Sequence, residues 1–193
     1  SCPTLEPWAG ERAVYCGFLD EPPALTPTPR DCVLVYLGAG SVPAGVAIRA
    51  GQELADALGC DVYVAGVPEA VRISGGYTVA CAPRFDFAEL LPRARVFVHH
   101  GGQNSMMDAL SYEVPQVLVP GRVFERQFNA EAVESARCGL TVREPKPTLI
   151  ARAARRLVVD EPALTSGIRG LRAELSSLGG TKRIVREVEK LVS

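Results

Sequence analysis

Val96-Phe97-Val98-His99-His100-Gly101-Gly102-Gln103-Asn104-Ser105 runs from an apolar stretch through two glycines into polar residues that open a helix. A buried strand ending at His99 and a helix beginning near Ser105 account for that order, because paired glycines let the chain reverse over few residues. Reading outward, the same texture recurs. Val33-Leu34-Val35-Tyr36-Leu37 is a first strand, stopped by Gly38-Ala39-Gly40-Ser41, and Ala44 to Leu58 carries helical apolar spacing that Gly59 closes. Further strands are expected at Val62 to Val67, Tyr77 to Cys81 and Gln116 to Val119, with a short sixth at Leu140 to Val142. The better helices between them are Ser105 to Tyr112 and Glu125 to Arg137, the latter stopped by Cys138-Gly139. Strand and helix alternate throughout. The fold class is therefore α/β, a Rossmann-like parallel sheet of about six strands flanked by helices.

The 193 residues are 47% hydrophobic, enough for one good core. Residues 1–31 are rich in proline (Glu21-Pro22-Pro23, Thr26-Pro27-Thr28-Pro29) and read as a linker; residues 32–193 are the domain. From Pro147 onward only helices are expected, and on the last of them Ile184, Val185, Val188, Leu191 and Val192 make an apolar stripe that needs cover. With 21 basic and 22 acidic residues the net charge is -1, which argues against nucleic acid as a partner. No apolar run approaches the roughly 20 residues that span a bilayer, and no secretory signal is visible, so a cytoplasmic protein is the expectation. The six cysteines form no C-x-x-C pair and read as structural thiols; the two histidines are adjacent, and no metal site is expected.

In an open parallel sheet, ligands gather beyond the carboxyl ends of the strands. The loop after His99 suits an anion there. Free amides at the helix start, aided by the helix dipole, favour phosphate oxygens; the glycines allow close backbone approach; the Ser105 hydroxyl and an imidazole N–H of His100 add donors. A plainer reading makes this a strand-to-helix turn, with Asn104 or Ser105 as an N-cap and His100 as a packed polar residue.

His100-Gly101-Gly102-Gln103-Asn104-Ser105-Met106-Met107-Asp108 resembles the diphosphate-binding motif of nucleotide-sugar glycosyltransferases with the two-domain GT-B fold. Around it, Leu90-Leu91-Pro92, Val114-Pro115-Gln116-Val117-Leu118-Val119-Pro120 and Glu125-Arg126-Gln127-Phe128-Asn129-Ala130 follow the family's order. The doubled histidine resembles bacterial members that act on natural products or lipids, and the similarity runs from about Val14 to the C-terminus. The resemblance implies the C-terminal half of a GT-B fold, with His100, Gly101, Gly102, Asn104, Ser105 and the first-loop Ser41 around the diphosphate of a UDP- or TDP-sugar. Asp108 stands where the family has a Glu on the ribose hydroxyls, one methylene shorter. Glu125, Arg126 and Gln127 are alternatives for the sugar contact, since Arg126 falls where the family has Gln and the loop after Pro120 is one residue longer. Phe85 or Phe87 could stack on the base, or both could be core.

By the same resemblance the reaction is an inverting, metal-independent transfer from a nucleotide-sugar substrate, with no other cofactor. The general base and acceptor pocket belong to an N-terminal domain or partner subunit, to which any peripheral membrane contact would also fall. The chain alone is then expected to be inactive. Val14-Tyr15-Cys16-Gly17-Phe18-Leu19 looks like the entry into the interdomain linker. Two other readings remain: a non-catalytic domain that pairs with a partner through its linker and terminal helices, and half of a sugar-nucleotide epimerase.

Overall fold

The computed structural model describes residues 1–7, 10, 13–38 and 42–192. Seven strands form one sheet: β1 (Cys32–Tyr36), β2 (Asp61–Ala65), β3 (Ala70–Ser74), β4 (Tyr77–Ala82), β5 (Ala94–His99), β6 (Gln116–Leu118) and β7 (Gly139–Thr141). Their order is β3-β4-β2-β1-β5-β6-β7, parallel except for the antiparallel β3–β4 pair at one edge. The helices are α1 (Ala44–Leu58), the short α2 (Phe87–Leu90), α3 (Gln103–Ser111), α4 (Phe124–Ser135), α5 (Pro147–Arg155), α6 (Ile168–Ser177) and α7 (Gly180–Val192). This is the Rossmann-like α/β architecture expected from the sequence, and the six expected strands are the six parallel ones.

The central strands are mostly apolar because helices cover both faces of the sheet there. Val33 and Val35 of β1 and Val96 and Val98 of β5 pack with Leu54 of α1, Ile150 of α5 and Leu157 in the turn that follows α5. Their neighbours Leu34 and Phe97 face the other side, against Leu90, Leu91, Ala109 and Val114. Period-two alternation thus sends residue 97, and with it residue 99, toward the α2 and α3 side. The rings of Phe97 and His99 lie 4.7 Å apart.

The seventh strand was not expected from the sequence. Gly75 and Gly76 both have positive φ, 56° and 85°, and close a two-residue hairpin whose flanking residues Ser74 and Tyr77 pair. The alternation of Val71 and Ile73 is real, but both side chains face solvent at the sheet edge. A second difference concerns α4. Its stop is not Gly139 but Arg137, at φ 53°, with the Cys138 amide returning to the Val133 carbonyl. Gly139 serves the sheet instead, since a Cβ there would sit 2.2 Å from the Gln116 carbonyl oxygen.

The proline-rich opening does not stand apart from the domain. Cys2, Leu5 and Phe18 are buried against Met106, Leu110, Leu118, Val133, Ile168, Leu171 and Leu175. Burying a side chain such as Leu5 contributes about 1.5–3 kcal/mol. Arg172 holds the next stretch, donating to the carbonyls of Pro23 and Ser111 at 2.7 and 2.8 Å. No helix among the described residues is long and apolar enough to cross a membrane.

Candidate functional site

The sheet order reverses between β1 and β5: β1 pairs with β2 on one side and with β5 on the other. The helix after β1, α1, packs on one face of the sheet and the helix after β5, α3, on the other, and the carboxyl edge between two such strands is the usual ligand position. His100, Gly101 and Gly102 lie there, between β5 and α3. The other loop, Gly38-Ala39-Gly40-Ser41, brings Gly38 at φ 77°; Ser41, expected beside the diphosphate, lies outside the described residues.

No side chain caps the start of α3. Gly102 stands at the N-cap position in extended conformation, and the first helical hydrogen bond runs from the Met106 amide to its carbonyl. The amides of the first turn therefore lack the intrahelical partners that later amides have, and they point where an anion would be favoured. Asn104 is exposed in that turn, whereas Ser105 is only 7% exposed. Asn104, Gln103 and Asp108 line a cavity of about 620 Å³ whose opposite wall is Gly17 to Pro23. Burial raises the Asp108 carboxyl above the ordinary aspartate range.

The two histidines differ sharply. His100 is half-buried, its ring edge-on to Tyr36 at 5.3 Å and its Nδ1 3.4 Å from the Tyr36 carbonyl oxygen. Burial lowers its pKa, opposed by the Tyr36 carbonyl; among nearby charges Arg126 lowers it and Glu125 raises it. With Nδ1 facing Tyr36, Nε2 is the nitrogen left near Gly102, and a Cβ on Gly102 would lie 2.6 Å from it. His99 is fully buried, and burial pushes its pKa down to about 3, so the ring is neutral. Its Nδ1 accepts from the Gly101 amide at 3.1 Å and its Nε2 lies 2.9 Å from Gln116 Oε1.

Gly101 needs its glycine twice over. Its φ is 84°, and a Cβ would lie 3.0 Å from the Arg126 carbonyl oxygen. Its own carbonyl accepts from Asn129 Nδ2 at 2.8 Å. His99, Gln116 and Asn129 were not among the expected site residues. Their signal was there: His99 and Gln116 are polar residues within apolar runs, where a buried side chain must find a partner. Asn129 stood in the quoted motif without a role.

Of the residues expected near the sugar, Glu125 and Arg126 act on the charge of His100. Gln127 is drawn into its own loop, donating from Nε2 to the Gly121 carbonyl at 2.9 Å. Phe85 stands edge-on to Tyr63 at 5.4 Å, and Phe87 to Tyr36 at 5.7 Å and Phe97 at 5.4 Å. Both rings are partly buried against the core on that side. Phe87 therefore backs Tyr36, which in turn abuts His100. Among the described residues no group of three or more His, Cys, Asp and Glu side chains is placed to hold a metal ion.

Residues 58–191 match the family described as erythromycin biosynthesis protein CIII-like, C-terminal domain. The chain belongs to that family. Over 97% of its length this CIII-like domain is 27% identical to the aclacinomycin-T 2-deoxy-L-fucose transferase of Streptomyces galilaeus, of which it covers 43%. A 102-residue stretch, 52% of the chain, is 28% identical to the NDP-glycosyltransferase YjiC of Bacillus subtilis strain 168 and covers 26% of it. Among solved structures, CalG4, the calicheamicin glycosyltransferase, superposes with a TM-score of 0.76 at 25% identity, over 98% of this chain and 50% of CalG4. SsfS6 of Streptomyces sp. SF2575, complexed with thymidine diphosphate, superposes with a TM-score of 0.65 at 28% identity, over 92% of this chain and 47% of SsfS6. The CIII-like domain thus spans half or less of the length of these relatives.

Proposed function

We propose that this CIII-like domain binds the nucleotide diphosphate of a UDP- or TDP-sugar in an inverting, metal-independent glycosyltransferase, and that transfer needs a second, acceptor-carrying domain or subunit. The observation that carries this reading is the uncapped start of α3 at the switch point of the sheet, with half-buried His100 beside it. Glycosyl transfer leaves negative charge on the departing diphosphate while the acceptor hydroxyl attacks an oxocarbenium-like sugar carbon from the opposite face. Donors fixed in advance where that charge grows lower the barrier. The reading assigns that task to the amides of Gln103 to Ser105, with the His100 ring and the Ser105 hydroxyl beside them. Asp108 takes the ribose hydroxyls within the cavity it lines, and Glu125 and Arg126 stand on the sugar side. Gln127 contributes to the shape of the loop leading into α4. SsfS6, a similar structure, is complexed with thymidine diphosphate, which supports a thymidine nucleotide as the first ligand to try.

The general base and acceptor pocket are assigned to the second domain or subunit. The apolar stripe of α7 supports such a partner: Val185, Val188, Leu191 and Val192 are 50–86% exposed. The transferase names of the relatives favour transfer over epimerisation. Calorimetric titration of the folded chain with thymidine and uridine diphosphates tests the donor site. Saturable heat with at least one is expected, and none with either overturns the reading.

A further inference from the structure

The described chain buries five polar residues, His99, Ser105, Ser111, Gln116 and Asn129. Three of them converge on one glycine. From β5, His99 accepts the Gly101 amide at Nδ1; from β6, Gln116 faces the other nitrogen of the same ring; from α4, Asn129 donates to the Gly101 carbonyl. Both polar groups of a residue at φ 84° are thereby held by side chains that solvent does not reach.

The hydrogen-bond directions follow from the geometry. The Gly101 amide can only donate, so His99 Nδ1 carries no proton and the neutral ring is protonated at Nε2. That N–H requires an acceptor, so Gln116 must present Oε1 to it. A reversed amide would set two donors against each other. The consequence is an unmatched group: Gln116 Nε2 is buried and has no hydrogen-bond partner among the described residues. An unsatisfied buried donor works against stability, so core packing alone does not account for a glutamine here. Gly139 adds to the same arrangement, since its missing Cβ is what lets β7 lie against Gln116.

We propose that His99, Gln116 and Asn129 are positioning residues of the diphosphate site: they lock the Gly101 peptide groups so that the uncapped first-turn amides of α3 and the His100 ring are held in place before the ligand arrives. This rests on the donor-site reading above. The relay acts through the His99 tautomer. Gln116 keeps the proton on Nε2, which leaves the Nδ1 lone pair for Gly101. Without it, the Gly101 amide loses its partner and turns toward the carboxyl edge, and the loop enters α3 at a different angle.

Nitrogen NMR of the ligand-free chain, with hydrogen exchange at the Gly101 amide, tests the clamp without any ligand. The expected result is a His99 ring protonated at Nε2 only, unchanged through neutrality, and a Gly101 amide protected from exchange in the wild type but not in His99→Leu. A proton on Nδ1, or an unprotected Gly101 amide in the wild type, overturns the clamp. Calorimetry with thymidine diphosphate then tests its purpose. His99→Leu should weaken binding by about tenfold or more, the size of one lost hydrogen bond in a preorganised site. His99→Asn, whose Oδ1 can accept from Gly101, should recover most of the affinity. Val98→Ala on the same strand, equally buried, should lower the melting temperature but leave affinity unchanged. If His99→Leu does not fold, Asn129→Ala replaces it, with the same expected loss. Equal binding by the His99 and Val98 variants overturns the positioning role. No binding by the wild type overturns the donor reading, and with it the purpose assigned to the clamp, while the NMR result stands by itself.

Discussion

The loop between β5 and α3 and the terminal helix α7 satisfy their side chains in opposite ways. In the loop, His99, Gln116 and Asn129 are at most 4% exposed and close hydrogen bonds around Gly101 within the chain. In α7 no residue is buried, and Leu191 and Val192 are over 80% exposed. Polar groups that are buried and paired hold a single geometry, because in a low-dielectric interior each alternative leaves one of them unpaired. An apolar stripe left in water has no such preference and is satisfied only by a surface that covers it. The loop is held from within the described residues, whereas the stripe of α7 is left to solvent.

The contrast breaks most readily at Gly101. Gly101→Ala puts a Cβ at positive φ and against the Arg126 carbonyl oxygen. The left-handed conformation alone costs about 1–2 kcal/mol, and relief of the close contact must shift α4 or the loop. For a chain of this size a loss of about 2 kcal/mol lowers the melting temperature by about 4–8 °C, measurable by calorimetry or circular dichroism. Diphosphate affinity should fall with it. An unchanged melting temperature would show that the loop is free to move and is not held as described.

His100→Ala separates the ligand contact from the scaffold. His100 is half-buried and its Nε2 side faces Gly102, so its removal should scarcely disturb the clamp on Gly101. Loss of one charge-assisted hydrogen bond to the diphosphate should cost about 1.5–3 kcal/mol of binding, about 10- to 150-fold in Kd. Undiminished affinity would return His100 to the role of a packed polar residue against Tyr36.

How much of this the sequence carried depends on the distance over which each signal acts. The six parallel strands and the bounds of α1 were legible because continuous apolar runs and helical spacing are local patterns. The strand β3 was not, since its two outward-facing residues, Val71 and Ile73, bury nothing and gave no core signal; only Gly75-Gly76 marked the hairpin. Cys2, Leu5 and Phe18 were hidden by the prolines around them, and what buries them is α3, α4 and α6, far along the chain. In the site, His100 and Asn104 could be singled out from the glycine turn. The role of His99 could not, because it depends on Gln116 and Asn129, brought to it by β6 and α4. An adjacent pair of histidines looks alike in sequence and divides only when strand alternation turns one inward.

Of the two histidines, only His100 is expected to make affinity depend on pH near neutrality, while the Asp108 carboxyl, raised by burial, would add its own dependence at lower pH. With Nδ1 against the Tyr36 carbonyl, Nε2 donates to a phosphate oxygen only when the ring is cationic. Burial holds the free ring below the ordinary imidazole value, and a bound diphosphate raises it. Binding then takes up a proton between those two values, so affinity rises as pH falls through that window and levels off below the lower one. One coupled proton gives at most about a tenfold change per pH unit. A nucleotide-sugar is the ligand to use, since its diphosphate, esterified at both ends, does not titrate near neutrality. A profile that stays flat through that window, or that persists there in His100→Ala, would remove the imidazolium from the site. His99 contributes nothing here, being neutral throughout the range.

The smallest expected effect lies at α7. Val188→Glu with Leu191→Glu changes side chains that are 52% and 86% exposed. Each should alter the stability of the isolated chain by no more than about 0.5 kcal/mol, a shift of about 2 °C or less. Diphosphate affinity should be unchanged, because the clamp on Gly101 draws on β5, β6 and α4 and on nothing in α7. A melting temperature lower by many degrees would mean that the stripe is already covered within this chain, and α7 would then join the loop as a finished part of the fold.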